Sequence, residues 1–339
     1  MKKENEDVII VGIESSCDDT SVAVVKNGRE VLSNVISSQI DIHKLYGGVV
    51  PEIASRNHTK NIKNCFDEAL LQAGITMKDV SAIAVTYGAG LLGALIVGVS
   101  FAKALSYSSG KPLYAVNHIE GHISANFIAH KELEPPFLCL VVSGGHTALF
   151  EMENHTEKHL LATTADDAIG EAFDKVAREC GLEYPGGPNV QREAEKGSSA
   201  IKFVKNDYSN LTSFSYSGLK TAVINYIHNK KQKNEQISVP DICASFQEQA
   251  TEQLYIKCRE ELIKTGYKTL VLAGGVSANT ALRKKLEEGL SDIGVKVYYP
   301  PLKLCTDNAA MIASQGYYNY IAGAKTAGLD LAPKSTINL

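Results

Sequence analysis

The chain has 339 residues, is 44% hydrophobic and 21% charged, and carries a formal net charge of −4. That balance excludes a disordered chain and gives enough length for two domains of ordinary size. It offers no general electrostatic reason to bind nucleic acid; RNA would have to use local runs such as Lys230-Lys231-Gln232-Lys233 and Arg283-Lys284-Lys285, each of which alone reads as a solvated face.

The first 150 residues alternate strands and helices. Val8 to Glu14, Ser21 to Lys26 and Glu30 to Ser37 read as strands joined by tight turns, and Asn57 to Ala73 has apolar residues at helical spacing. Ala82 to Tyr87 is a strand that runs through Gly88-Ala89-Gly90 into a helix ending near Ser106. The stretch Gly90 to Leu105 is glycine-rich and contains Lys103, too short and interrupted for a membrane span, and reads as a buried helix. Leu113 to Val116 is a further strand, followed by a helix bearing His118 and His122. The N-terminal run Met1 to Asp7 lacks a signal peptide's apolar region and cleavage site, and the seven scattered cysteines contain no C-x-x-C. Together these predict reduced thiols and a cytoplasmic location.

A second cycle starts at Phe137. Phe137 to Val142 and Thr147 to Met152 read as strands about the turn Ser143-Gly144-Gly145-His146, and Asp167 to Cys180 as a helix stopped by Gly181. Thr269 to Leu272 is a strand leading through Gly274-Gly275 to a helix ending at Leu290; Val295 to Tyr299 is a strand and Thr306 to Ile321 the last long helix. Residues 183 to 245 are less periodic and read as an insertion entered through Tyr184-Pro185-Gly186-Gly187-Pro188. Strand, polar turn, strand recurs around Glu14 to Thr20 and around Ser143 to Thr147, which predicts two similar α/β halves, residues 1–130 and 131–339.

Three glycine-rich turns at element ends favour a nucleotide site, although Ser143-Gly144-Gly145 alone equally reads as a hairpin turn. They match neither the P-loop nor the G-x-G-x-x-G pattern. Asp174 is open to a ribose hydroxyl or to an i,i+4 pair with Arg178.

His118 and His122 stand one turn apart on one helix face, at a strand's carboxyl end, where open α/β sheets place ligands. Imidazole is the commonest ligand for mid-series divalent metals. Asp307, near the start of the last helix, is the candidate third ligand: two His and one Asp form a facial triad that fits iron(II) and also zinc. Asp307 also fits a plain first-turn acid favoured by the helix dipole. Glu120 stands in neither the H-E-x-x-H nor the H-x-x-E-H position, which argues against a zinc peptidase.

Nine runs, in order across about residues 8 to 320, carry a resemblance. They are Gly12-Ile13-Glu14-Ser15-Ser16-Cys17-Asp18-Asp19-Thr20, Gly48 to Arg56, Asn117-His118 to His122, Val142 to Thr147, Gly170 to Lys175, Tyr184 to Pro188, Phe214 to Lys220, Gly274 to Asn279, and Thr306-Asp307-Asn308. In these the chain resembles the tRNA threonylcarbamoyladenosine transferases of the TsaD (Gcp/YgjD) type. The resemblance implies the actin, hexokinase and heat-shock-ATPase fold, two α/β lobes around a nucleotide cleft. It implies His118, His122 and Asp307 as metal ligands, and Val141, Val142, Ser143, Gly144, Gly145, Asp174, Gly187 and Asn279 as the holders of an adenylate substrate. The implied reaction moves threonylcarbamoyl from threonylcarbamoyl-AMP to the exocyclic amine of the adenosine 3′ of the anticodon. Implied partners are tRNA, an inactive paralogue of the same fold (TsaB type) and a small ATPase (TsaE type), with no membrane.

Three features depart from the family pattern: Ala89 replaces the usual Pro, Gln191 an acidic residue, and the sequence before Cys305 differs. No catalytic side chain is evident; Glu14 and Asp18 are candidate general bases that sequence does not rank. A small-molecule kinase of the same fold and an ATP-dependent binding module are the rival functions.

Overall fold

The computed structural model describes residues 7–204 and 213–337. Residues 1–6, on which the leader reading partly rests, and 205–212, inside the expected insertion, lie outside them. The strands are β1 (Ile9–Glu14), β2 (Asp19–Lys26), β3 (Glu30–Ser38), β4 (Ala82–Gly88), β5 (Leu113–Asn117), β6 (Phe137–Val142), β7 (Thr147–Met152), β8 (Lys158–Thr163), β9 (Thr269–Ala273) and β10 (Lys296–Tyr298). The helices are α1 (Ile40–Lys44), α2 (Pro51–Ala73), α3 (Leu92–Ser109), α4 (His118–Ala129), α5 (Ile169–Glu179), α6 (Gly186–Ala194), α7 (Ser217–Gln232), α8 (Val239–Thr265), α9 (Thr280–Leu290), α10 (Leu302–Cys305) and α11 (Ala309–Ile321).

The two five-stranded sheets share one plan. Sheet order is β3-β2-β1-β4-β5 in one and β10-β9-β6-β7-β8 in the other. In each, three strands form an antiparallel meander, and two later strands add in parallel beside its first member. The apolar runs explain this. Ile9–Glu14 and Phe137–Val142 are buried nearly throughout, as strands covered on both faces must be.

The chain forms two compact units. One comprises Met1–Pro135, Asn154–Glu157 and Pro300–Leu339; the other comprises Pro136–Glu153 and Lys158–Tyr299. Pro300–Leu339, which the sequence division places in the second half, therefore packs with the first. The reason is α11, whose small residues let it lie close on β1 and β4: a Cβ added at Gly12 would meet the Ala309 carbonyl oxygen at 2.3 Å, and one at Gly316 would meet Ala84 Cβ at 2.4 Å.

Several elements differ from the sequence expectation. Helix α2 begins at Pro51, which suits the first helical position because its φ is already fixed. Its stripe Ala54, His58, Ile62, Cys65, Phe66 and Ala69 is buried, so a small and a polar residue continue the apolar face. Strand β8 went unread because it is the sheet's edge, bears Lys158 and His159, and has only Ala162 buried. The described part of residues 183–245 holds α6, α7 and the start of α8, and Val190, Leu219, Val223, Ile227, Ile242 and Cys243 join the second unit's core. Helix α3 is, by length and composition alone, apolar enough to cross a membrane. Ala94, Leu95, Gly98, Val99 and Ala102 are buried, but Leu92, Ile96 and Tyr107 are exposed, so only one face is core.

Candidate functional site

Strand β5 delivers the chain into α4 at Asn117, whose side chain accepts from the Ile119 amide at 2.9 Å and caps the helix. His118 is thus the first helical residue and His122 lies one turn on, both buried. Gly121 between them is explained by packing: a Cβ there would stand 2.6 Å from Ile312 Cδ1 on α11. Asp307 precedes α11 rather than opening it; Asn308 is the cap, accepting from the Met311 amide at 3.1 Å.

The three residues converge. Asp307 Oδ1 lies 3.5 Å from His118 Nε2 and 3.3 Å from His122 Nε2. One ligand atom from each residue falls within 4.8 Å of the others, so the set can hold a metal ion. Behind His118, Nδ1 lies 3.0 Å from Glu14 Oε2 and 3.1 Å from Ser16 Oγ. Glu14 is fully buried; it also accepts from Thr86 Oγ1 at 2.7 Å and from the Ser16 amide.

The electrostatics follow from burial and these neighbours. Burial disfavours the imidazolium of His118, but the Asp307 and Glu14 carboxylates outweigh it and push its pKa up to about 9. Burial and the neighbouring His118 charge hold His122 below its ordinary value. Burial raises Glu14, yet His118 and Thr86 leave it lowered overall, so it is a carboxylate and can only accept at His118 Nδ1. That holds a proton on His118 Nδ1 and leaves Nε2 facing Asp307. A carboxylate behind a ligating histidine is the usual supporting arrangement of a metal site. Buried His122 Nδ1 has no hydrogen-bond partner among the described residues. Two imidazoles, a carboxylate and this backing fit a divalent ion better than they fit one another.

The residues expected to hold the adenylate all lie in the second unit. Val141 and Val142 end β6 and are buried; Ser143 is buried while Gly144 and Gly145 are exposed. The turn is pinned by the Ser143 amide donating to the His146 carbonyl at 2.8 Å and the His146 amide donating to Ser143 Oγ at 3.1 Å. Helix α5 meets it closely: a Cβ at Gly170 would come within 2.6 Å of the Ser143 carbonyl. Gly274, with φ +86°, brings the turn after β9 against the Val142 carbonyl, 2.5 Å from where its Cβ would be. Parallel pairing of Val141 with Ala273 sets the two glycine turns side by side at the strands' carboxyl ends.

Asp174, half-buried, accepts from the Gly186 amide at 2.8 Å, with the Arg178 charge nearby. Asn279 caps α9 by accepting from the Leu282 amide at 2.9 Å and donates to Gln247 at 2.8 Å. Gln191 accepts from the Thr280 amide at 3.0 Å, tying α6 to α9. Gly187 has nothing within 4 Å of an added Cβ. The basic run at Arg283 is largely committed: its guanidinium stacks 4.0 Å over Tyr299, and Lys285 pairs with Glu248 at 2.7 Å and Glu252 at 2.6 Å.

The fold and site define a class: an α/β protein of duplicated sheet plan, with a His-His-Asp set on one sheet and paired glycine turns on the other. Solved structures share the fold. The chain matches HypF of T. kodakarensis with TM-score 0.65 at 15% identity, over 94% of this chain and 48% of that one. It matches component A of (R)-2-hydroxyglutaryl-CoA dehydratase from Acidaminococcus fermentans with TM-score 0.53 at 15% identity, over 93% and 99%. One family model, tRNA N6-adenosine threonylcarbamoyltransferase (TsaD), matches residues 30–314. Curated relatives bearing that description include those of Clostridioides difficile (52% identical over 98% of this chain and 99% of the relative) and Clostridium perfringens (54%, over 93% and 94%). The chain belongs to the TsaD family. It is a transferase acting in threonylcarbamoyladenosine modification of tRNA, which displaces the kinase, binding-module and peptidase alternatives.

Proposed function

We propose that the donor is threonylcarbamoyl-AMP and the acceptor the N6 amine of the adenosine 3′ of the anticodon, in tRNAs reading codons that begin with A. The observation that carries the proposal is the convergence of His118, His122 and Asp307, backed by Glu14. These three residues would hold an iron(II) or zinc ion, which supplies Lewis-acid polarisation of the donor when bound. Glu14 keeps the His118 proton on Nδ1 and is thereby removed from general-base duty. Exposed Gly144, Gly145 and half-buried Gly187 let backbone amides approach the adenylate phosphate. Val141 and Val142 set the turn's height above the sheet. Asp174 and Asn279 are positioning residues that hold the Gly186-Gly187 loop and the end of the Gly274-Gly275 turn. As the amine nitrogen bonds to the carbamoyl carbon, the carbon–oxygen bond to phosphate breaks; AMP leaves and its phosphate takes the amine proton.

The chain acts in the cytoplasm with tRNA, a TsaB-type paralogue and a TsaE-type ATPase. Exposed Leu71 on α2 and Leu92, Ile96 and Tyr107 on α3 supply apolar surface suited to the paralogue. The test is a single-turnover transfer with these partners, synthetic donor and unmodified tRNA. Modified adenosine is counted by mass spectrometry beside bound metal. Wild type should form product, and His118→Ala should lose both metal and product. Product from both proteins would remove the triad from the reaction; none from wild type would overturn the donor assignment.

A further inference from the structure

Residues 327–337, which follow α11, pack along the first unit. The Ala327 amide donates to the Leu113 carbonyl at the head of β5 at 2.8 Å, and Lys103 Nζ on α3 donates to the Leu331 carbonyl at 3.1 Å. The tail then crosses the turn Gly88-Ala89-Gly90, between β4 and α3. The Lys334 amide donates to the Tyr87 carbonyl at 2.8 Å, and the Gly90 amide donates to the Ser335 carbonyl at 3.1 Å. The approach is close: a Cβ at Gly88 would stand 2.3 Å from the Lys334 carbonyl oxygen and 2.7 Å from Ile337 Cδ1.

The far side of the same turn rests on Ser16. A Cβ at Gly90 would stand 2.5 Å from the Ser16 carbonyl oxygen, which also accepts from the Leu91 amide at 2.7 Å. Ser16 is buried; its Oγ lies 3.1 Å from His118 Nδ1, and its amide donates to Glu14. Glycine and alanine give the turn no side-chain hydrogen bond of its own, so its place depends on what packs to either side.

We propose that the tail, residues 331–337, is a strap that positions His118 for its metal, acting through the Gly88–Gly90 turn and Ser16. The inference rests on the metal reading of the triad. Ser16 Oγ and Glu14 flank one ring nitrogen and limit how far the imidazole can turn. With the strap lifted, the turn gains room to leave Ser16, and the ring loses one of the two groups that hold its plane. Partners behind a ligating histidine commonly set metal affinity. The strap grips the turn through backbone groups, so the side chain at Lys334 is immaterial, whereas a proline there removes the amide donor.

The experiment titrates the purified full chain with cobalt(II), measuring affinity by chelator competition and ligand geometry by the visible absorption bands. Lys334→Pro should bind cobalt(II) about tenfold more weakly, with altered bands, while Lys334→Ala should match wild type. Ser16→Ala should give a loss of similar size, and adding Lys334→Pro to it should cost little more, because the two act in one line. Wild-type affinity in Lys334→Pro, an equal loss in Lys334→Ala, or losses that multiply in the double variant would each overturn the strap. Should Lys334→Pro fail to fold, Ile337→Asp, which removes the apolar contact at Gly88, decides by the same measurement. His118→Ala separates the strap from the metal reading. Cobalt(II) bound equally with and without His118 would end both; His118-dependent binding that ignores Lys334→Pro would end the strap alone.

Discussion

Glu14 shows how much of the site rests on a residue behind the histidines. It lies on β1, fully buried, and its carboxylate is shared by His118, Thr86 and the Ser16 amide. Glu14→Gln keeps the shape but removes the charge that fixes the His118 tautomer. Metal affinity should fall about 10–100-fold, measured by chelator competition; unchanged affinity would end the positioning role. Nearby Asp19 has a buried Oδ1 without a hydrogen-bond partner among the described residues. Burial raises its pKa from 3.8 to about 7; Ser38 opposes this, and the Asp307, Asp18 and Glu14 charges add to it. Between those values the folded chain holds a proton that the unfolded chain has released. The stability from Asp19 is therefore full below the unfolded value and lost as pH rises through the folded one. For metal-free protein, urea midpoints should fall as pH rises from about 4 to about 7, and Asp19→Asn should flatten that fall; an identical slope in the variant would refute the assignment. The histidine pair was legible because spacing on one helix is a local property. Glu14 could not be ranked as a base or a support, because its partner lies 104 residues away, a contact only the fold makes.

At the scale of elements, β1 and α11 are matched through missing side chains. A Cβ at Gly12 would meet backbone, the Ala309 oxygen at 2.3 Å and the Ala313 nitrogen at 2.7 Å, which cannot yield as a flexible side chain does. Gly12→Ala should cost about 3 kcal/mol by chemical denaturation, through overpacking. A loss under 0.5 kcal/mol would show that α11 slides aside at little cost. The long apolar strands and α5 were readable, since Ile169, Ala172, Phe173 and Val176 are buried as their spacing implies. The start of α2 was less so, because Ala54 and His58 carry its stripe without being strongly apolar. The last helix read three residues early because Thr306, Asp307 and Asn308 all suit a helix start, and only the Asn308 side chain caps it.

For the molecule as a whole, the alternation of strands and helices and the repeated strand-turn-strand plan were visible in sequence. The return of Pro300–Leu339 to the first unit was not, because chain order carries no record of such long-range packing. Surface function belongs at this scale too. Ile96 is 47% exposed on α3, so Ile96→Lys should leave the fold's stability within about 0.5 kcal/mol yet abolish co-elution with the paralogue in size-exclusion chromatography. Retained co-elution would move the partner face elsewhere. The late return of α11 also sets an order of manufacture. A ribosome completes every strand of the second unit before it makes Asp307 or the helix that covers β1. The unit begun first is thus finished last, and the part of its sheet that α11 covers stays open through most of synthesis. A nascent chain carries both histidines long before Asp307, so the proposed metal-binding set is complete only near the end of synthesis.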